Sequence, residues 1–177
     1  MRSPLALVLC LVAALAMVGA CGKEIGDACT IAPDCSPNGD RICDTSQTDG
    51  YCTIQGCDVD TCPGESVCVR FFTGRFSNKE CDYDTRGLED TRIRRCSLDE
   101  LCALDGHCVA RSSEIRFCMR KCSSDGDCRG DSNDDGRDDY ECRNLDRMIE
   151  HGGEPVLEPG AVVDDRSPKF CASAPGT

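Results

Sequence analysis

Eighteen cysteines in 177 residues constrain the fold of this chain more than any other feature. Cysteine at this density is typical of small exported domains that are held together by disulfide bonds. Only 25 of the 157 residues after Ala20 are Ile, Leu, Val or Phe, and the chain contains no Trp. So little apolar surface cannot form a large core, whereas each disulfide typically contributes about 2–4 kcal/mol to stability. We therefore expect a small disulfide-rich fold with short β-hairpins and little regular secondary structure.

The first 20 residues have the features of a signal peptide. One cation, Arg2, precedes an uncharged stretch that ends at Ala20 and is shorter than the roughly 20 apolar residues of a membrane-spanning helix. The stretch ends in Val18-Gly19-Ala20-Cys21, which resembles the lipobox of bacterial lipoproteins. The resemblance implies cleavage after Ala20 and attachment of acyl chains such as palmitate to Cys21. Ordinary signal peptidase cleavage at the same bond is the alternative, because Val18 and Ala20 are small residues.

The cysteine count supports the lipoprotein interpretation. Cys10 leaves with the signal peptide, so an odd number of cysteines remains from Cys21 onward. If Cys21 carries lipid, the others form an even set that can pair completely. The predicted disulfide cysteines are Cys29, Cys35, Cys43, Cys52, Cys57, Cys62, Cys68, Cys81, Cys96, Cys102, Cys108, Cys118, Cys122, Cys128, Cys142 and Cys171.

Cysteine spacing indicates an internal duplication. The first five gaps are 5, 7, 8, 4 and 4 residues from Cys29 onward, and 5, 5, 9, 3 and 5 residues from Cys96 onward. This similarity predicts two tandem eight-cysteine repeats, at 29–81 and 96–171. The polar, cysteine-free segment 82–95 is the predicted linker, and bonds within a repeat are favoured for that reason.

Two finer features of the organisation follow from the same spacing and from composition. A short, a middle and a long gap recur in four places, which favours four-cysteine units that begin at Cys29, Cys57, Cys96 and Cys122. Residues 21–28 are predicted to form a tether of at most about 25 Å between the lipid and the first repeat.

Regular secondary structure is predicted at two places. Alternating Val67, Val69 and Phe71 indicate a strand over 67–72, and Thr73-Gly74 could turn it into a hairpin with 75–79. Residues 145–170 are rich in Pro, Gly and acidic residues, so we expect a poorly ordered excursion with one or two helical turns around 145–151.

An acidic insert at 131–141 is the one motif with the logic of a metal site. It resembles the calcium loops of thrombospondin type 3 repeats and dockerins, which have the pattern D-x-N-x-D-G-x-x-D. The resemblance implies calcium ligands at the alternating positions of the loop, with a backbone carbonyl at Arg137. The predicted ligands are Asp131, Asn133, Asp135, Arg137 and Asp139. An EF-hand would place a bidentate Glu at the twelfth position, where this chain has Cys142, so the predicted affinity is in the range of extracellular modules, about 10⁻⁴ to 10⁻³ M.

A second resemblance concerns the style of the fold. Cys122-Ser-Ser-Asp-Gly-Asp-Cys128 resembles the opening of the amino-terminal cysteine-rich domain of the Dickkopf family, whose members are secreted and disulfide-bonded. The match covers seven residues, so it implies a similar kind of scaffold and not the signalling role of that family. Cysteine-rich lipoproteins of large-genome predatory bacteria are the class that the whole chain resembles.

The net charge and the motifs of the chain disfavour several classes of partner and of functional site. A net charge of −12 disfavours nucleic acid as a partner. The sequence contains no C-x2-C pair of the kind that indicates a zinc site. Every scaffold thiol has an expected disulfide partner, and His107 and His151 are the only histidines. The leading hypothesis is a non-enzymatic binding module on the cell envelope, with an unknown protein or surface ligand and with calcium as the candidate cofactor. Gly22 lacks the Asp that retains lipoproteins at the inner membrane in enteric bacteria, which favours the outer membrane. The alternative is an inhibitor of secreted proteases, with Thr91–Arg95 as its bait loop.

Overall fold

A computed structural model describes residues 22–73, 78–83, 96–131 and 138–175. Its regular elements are short. The α-helices are α1 (Ala32–Cys35) and α2 (Leu145–His151), and single turns of 3-10 helix lie at Arg111–Ser113 and Asp125–Asp127. The strands are β1 (Ile42–Asp44), β2 (Tyr51–Thr53), β3 (Ser66–Phe72), β4 (Glu100–Cys102), β5 (Cys108–Ala110), β6 (Glu114–Arg120), β7 (Tyr140–Arg143), β8 (Glu154–Pro155) and β9 (Phe170–Ser173). They form small antiparallel sheets, which are β1-β2, β6-β3-β8, β4-β5 and β7-β9. The predicted disulfide-rich fold with little regular structure is confirmed.

All sixteen cysteines predicted to form disulfides are bonded in pairs. The bridges are Cys29–Cys43, Cys35–Cys52, Cys57–Cys68, Cys62–Cys118, Cys81–Cys102, Cys96–Cys108, Cys122–Cys142 and Cys128–Cys171.

These bridges define four units of four cysteines, each with the first cysteine bonded to the third and the second to the fourth. Unit 1 contains Cys29, Cys35, Cys43 and Cys52; unit 2 contains Cys57, Cys62, Cys68 and Cys118; unit 3 contains Cys81, Cys96, Cys102 and Cys108; unit 4 contains Cys122, Cys128, Cys142 and Cys171. In every unit the third and fourth cysteines are directly opposite each other on two antiparallel strands. Each unit is therefore a β-strand pair to which two adjacent bridges bond the first and second cysteines of the unit, which lie outside the paired strands.

The expectation that bonds stay within the predicted repeats is wrong for two bridges. Cys62–Cys118 and Cys81–Cys102 each join the segment 29–81 to the segment 96–171. Unit 3 is inserted between the third and fourth cysteines of unit 2. The predicted four-cysteine frames at Cys29 and Cys122 are correct, whereas the frame predicted at Cys96 begins at Cys81.

Strand pairing explains this nesting. β3 pairs with β6 along seven residues, from Ser66 opposite Arg120 to Phe72 opposite Glu114. The predicted hairpin of 67–72 with 75–79 is therefore wrong in its partner, although the strand itself is present. The long ladder and the Cys62–Cys118 bridge stabilise this pairing over a local one. Residues 74–77 of the predicted hairpin lie outside the described residues.

The core lies where units 1, 2 and 4 meet. Tyr51 of β2 stacks on Tyr140 of β7, with ring centroids 5.5 Å apart. The Tyr51 hydroxyl accepts the backbone N–H of Arg120 on β6 at 3.0 Å, and burial raises the pKa of Tyr51. Val69 and Phe170 are also completely buried. One aromatic side chain thus contacts three units.

The segment 145–170 is packed into this core, contrary to the expected poorly ordered excursion. The predicted helical turns at 145–151 are confirmed as α2, which the Asn144 side chain caps by accepting the N–H of Arg147. Met148 and Val163 are buried. Glu154 of β8 is 2% exposed and pairs with Arg70 of β3 at 2.8 Å. A buried ion pair therefore fixes the middle of the segment.

The predicted tether is folded onto unit 1 from Gly22 onward. Ile25 is completely buried. The N–H of Gly26 donates to the Cys52 carbonyl, and the N–H of Cys52 donates to the Asp27 carbonyl, each at 2.9 Å. The described part of the predicted tether is therefore packed against unit 1 and is not an extended spacer.

Candidate functional site

A cleft of about 400 Å³ lies at the junction of units 1, 2 and 4. Each unit contributes one wall, so the cleft exists only because the three strand pairs pack together. Its lining residues are Asp44, Ser46, Gln47, Tyr51, Thr53, Phe71, Ile115, Phe117, Met119, Arg143, His151, Ala172 and Ser173.

Unit 2 forms the apolar wall of the cleft. Ile115, Phe117 and Met119 alternate along β6 and therefore share one face of the sheet. Phe71 is opposite Ile115 on β3. Its ring lies 6.5 Å from that of Phe117 and meets the ring of Phe170 edge-on at 6.2 Å. These contacts hold the wall in one conformation.

Arg143 closes the opposite side. Its guanidinium donates to the carbonyls of His151 and Gly152 at 2.8 Å and to the Ser173 carbonyl at 2.9 Å. Its Nε donates to Glu141 at 3.1 Å. Burial lowers the pKa of Arg143, and the Glu141 carboxylate opposes that effect. This side chain ties the end of α2 to β7 and β9.

His151 presents the one imidazole of the cleft. Its Nδ1 lies 2.6 Å from Oε1 of Glu141. Because an ionised carboxylate only accepts hydrogen bonds, Nδ1 is the donor in this contact. Nε2 lies 3.8 Å from Oε2 of Glu150. The hydroxyl of Ser173, which lines the same cleft, donates to Oε1 of Gln47. The cleft thus combines an apolar wall with oriented polar groups, an arrangement suited to binding an amphipathic ligand.

Sequence reasoning placed His151 in the excursion and gave it no role. The structure brings it beside Arg143, which sequence reasoning did not single out. The signal in the sequence was weak, because the walls come from separate segments of the chain, at 44–53, 115–119 and 143–173, which meet only in the folded structure. The alternating apolar positions of β6 were the one local pattern that could have indicated a wall.

The acidic insert is held at both of its ends. The Arg129 guanidinium lies 4.2 Å above the Tyr140 ring and donates to the carbonyls of Thr48 and Gly50 at 3.1 and 2.7 Å. The Tyr140 hydroxyl donates to the Thr48 carbonyl at 2.9 Å, and burial raises the pKa of this tyrosine to about 12. The base of the insert is therefore fixed to unit 1.

The predicted calcium ligands are only partly visible. Asp131 and Asp139 are described, and Asp139 is 3% exposed. Asn133, Asp135 and Arg137 lie outside the described residues, so calcium binding remains a prediction.

Groups of three cysteine sulfur atoms lie within 4.8 Å of one another in each unit, a distance at which sulfur atoms can share a metal ion. All of these sulfurs are bonded in disulfides.

The predicted lipid site and bait loop also fall outside the described parts of the chain, at Cys21 and at Thr91–Arg95. Beside the bait loop, Leu98 is completely exposed at the tip of a turn.

Within the described ranges, no helix is long and apolar enough to cross a membrane. Comparison with known proteins finds no protein family, curated protein or solved structure that matches this chain.

Proposed function

We propose that this chain is an exported lipoprotein, acylated at Cys21, whose ectodomain is a non-enzymatic binding module on the cell envelope, with the outer membrane favoured. The observation that carries the binding role is the cleft between units 1, 2 and 4. Its volume and its mixed apolar and polar lining support this role, and its three walls come from disulfide-bonded units.

Rigidity supports recognition. Units 1 and 4 each bring two disulfides to a wall of the cleft, and the apolar wall on β6 contains Cys118 of the Cys62–Cys118 bridge. A preformed site loses little conformational entropy when a ligand binds, which raises affinity without new contacts. The disulfides therefore serve both folding and binding.

The lining residues define a class of ligand. The volume of the cleft is at the small end of the roughly 300–1,000 Å³ typical of ligand pockets. The ring of Phe117 offers a surface for an aromatic or branched apolar group, and His151 and Gln47 offer polar partners. We propose an amphipathic ligand, such as one side chain of a partner protein or a small molecule of similar size.

Calcium is part of the proposal as a structural cofactor. The fixed base formed by Arg129 and Tyr140 would let an ion order the loop between them, because the entropic cost of closing the loop is already partly met. Bound calcium would also offset the repulsion between carboxylates of the insert.

Capture from an envelope extract tests the binding role. We expect the wild-type ectodomain to retain a partner that Phe117→Asp loses, because a charge on the apolar wall opposes burial of the ligand. Val162→Asp is the matched control, since Val162 is 42% exposed and lies outside the cleft. Equal retention by both variants would exclude the cleft as the binding site. Intact mass before and after reduction tests acylation and the number of bridges.

One observation favours the alternative function, inhibition of secreted proteases. Leu98 projects from a turn in which the N–H of Glu100 donates to the Ser97 carbonyl at 2.9 Å and the N–H of Ser97 donates to the Glu100 carboxylate at 2.8 Å. Arg111 Nε donates to the Leu98 carbonyl at 3.3 Å. A rigid loop with an exposed apolar side chain is a suitable anchor for a protease pocket. Inhibition of a serine protease that is lost in Leu98→Asp would support this alternative over the cleft.

A further inference from the structure

We propose that unit 1 rests directly on the lipid bilayer, with the exposed segment 31–33, which is the N-cap and first turn of α1, in contact with the lipid surface. The inference rests on the proposed acylation of Cys21. The inference identifies the surface of the ectodomain that faces the membrane, and with it the orientation of the ectodomain on the bilayer.

The chain is already packed against unit 1 at Gly22, one residue after the proposed lipid site. A Cβ at Gly22 would lie 2.8 Å from the Cys35 carbonyl oxygen, so the backbone of Gly22 packs against the end of α1. Arg41 donates to the Lys23 carbonyl, and the Lys23 ammonium donates to the Ala28 carbonyl at 2.7 Å. Completely buried Ile25 follows. No free spacer therefore separates position 22 from unit 1.

This packing limits the distance between the lipid and the segment 31–33. Consecutive Cα atoms are about 3.8 Å apart, so a lipid attached at position 21 is anchored one residue's length from Gly22. The helical rise of about 1.5 Å per residue carries the chain back from Cys35 to Ile31 over about 6 Å. Together with the contact of Gly22 with Cys35, these lengths place Ile31 within about 20 Å of Cys21. The acylated cysteine lies at the bilayer surface, so the protein surface around it faces headgroups that are about 5–8 Å deep.

The segment 31–33 has the composition of a surface that contacts lipid. Ile31 is 56% exposed, and Ala32 and Pro33 beside it are exposed as well. The Asp34 carboxylate accepts the N–H groups of Thr30 and Ile31 at 2.8 and 3.1 Å, which fixes the turn and directs its own charge to the backbone. An isolated exposed isoleucine needs no explanation in water, but here three consecutive apolar residues lie within reach of a lipid attached at position 21. At the boundary between headgroups and acyl chains, these three apolar side chains would be buried away from water, which favours the contact.

The absence of tryptophan from the chain allows a direct test. Ile31→Trp introduces a unique fluorophore into the full lipoprotein, reconstituted in phosphatidylcholine and phosphatidylglycerol vesicles. Leu98→Trp is the control, because Leu98 is completely exposed on unit 3. With brominated phosphatidylcholine we expect at least about twofold quenching and a shift to shorter wavelength for Ile31→Trp only. Insertion of a Gly/Ser spacer between Cys21 and Gly22 should remove the quenching.

Two further outcomes separate this inference from the proposed function. Emission of Ile31→Trp that matches Leu98→Trp, in protein whose mass shows acylated Cys21 and eight bridges, would overturn the membrane contact and leave the lipoprotein intact. A mass without acyl chains would remove the anchor itself, and with it the proposed function at the membrane.

Discussion

Cys62 is bonded to Cys118, which lies 56 residues further along the chain, and the loop that this bridge closes contains all four cysteines of unit 3. A bridge that spans a long loop restricts the unfolded chain more than a bridge within a hairpin does. Cys62–Cys118 therefore has a different role from the short bridges, because it holds together segments that are distant in sequence.

Removal of this bridge should cost more stability than removal of a short one. From loop length alone, the double variant Cys62→Ser/Cys118→Ser should lose about 4 kcal/mol of unfolding free energy, against about 3 kcal/mol for Cys96→Ser/Cys108→Ser. The latter is the matched control, because its cysteines are 12 residues apart. Denaturant unfolding without reductant measures both. A smaller loss for the long bridge would contradict the assigned topology, as would a peptide map that pairs Cys62 within 29–81.

Cysteine count and spacing were sufficient to predict the class of fold and the participation of sixteen cysteines in disulfides. The frames that begin at Cys29 and Cys122 were also predictable, because their cysteines are consecutive in sequence and pair locally. The helix at 145–151 was predictable for the same reason, since helices depend on neighbouring residues.

The nesting of unit 3 within unit 2 could not be predicted from spacing. It depends on the pairing of β3 with β6, and a strand does not reveal its partner through its own sequence. Position 118 was therefore assigned to the wrong unit, and the excursion at 145–170 was expected to be poorly ordered. The cleft was missed as a consequence, because its walls meet only when this pairing is known.

Gly50 provides a test of the tight packing in unit 1. Its φ is +65°, and a Cβ there would lie 2.1 Å from the Cys29 carbonyl oxygen and 2.9 Å from Cys43 Sγ. Gly39 has a similar φ of +77° but open space around it. We expect Gly39→Ala to cost about 1 kcal/mol of unfolding free energy through backbone strain, and Gly50→Ala to cost at least about twice that. Comparable unfolding midpoints for the two variants would show that unit 1 relaxes around the added methyl group.

The ion pair of Glu154 with Arg70 allows a test of what holds the segment 145–170 in place. The Glu154 carboxylate also accepts the Tyr83 hydroxyl at 3.2 Å and the Leu104 N–H at 3.3 Å. Glu154→Gln should lower the unfolding free energy by about 3 kcal/mol, because it leaves the Arg70 charge largely buried and unpaired. Glu158→Gln, at an exposed position of the same segment, should change it little. If both variants unfold at the same denaturant concentration, the pair does not hold 145–170 in place.

Stability should decline in acid through Asp125. The Arg147 guanidinium, and then the Cys142 N–H, hold the pKa of this carboxyl below its ordinary value of 3.8. A lowered pKa in the folded state contributes stability that is present above the unfolded-state pKa and is lost as the pH falls through the folded-state pKa. Asp125→Asn should therefore cost up to about 1 kcal/mol at neutral pH, because the pair is partly exposed, and the difference from wild type should shrink below pH of about 4. Thermal unfolding across pH measures it, and a difference that is independent of pH would contradict the assignment.

Calcium binding at the acidic insert leads to the last prediction. Titration of the ectodomain should give a dissociation constant of about 10⁻⁴ to 10⁻³ M, because the loop lacks the bidentate Glu of an EF-hand. Asp131→Asn/Asp135→Asn should weaken binding at least about tenfold, since each substitution removes a charged oxygen ligand from a hard cation. Asp164→Asn/Asp165→Asn is the control, because it removes the same charge from an exposed site outside the insert. Calcium should also slow proteolysis within 131–139, where Arg129 and Tyr140 already hold the two ends together. Calorimetry that shows no heat at millimolar calcium, or equal binding by both double variants, would exclude the insert as a calcium site and leave its carboxylates as a solvated acidic surface.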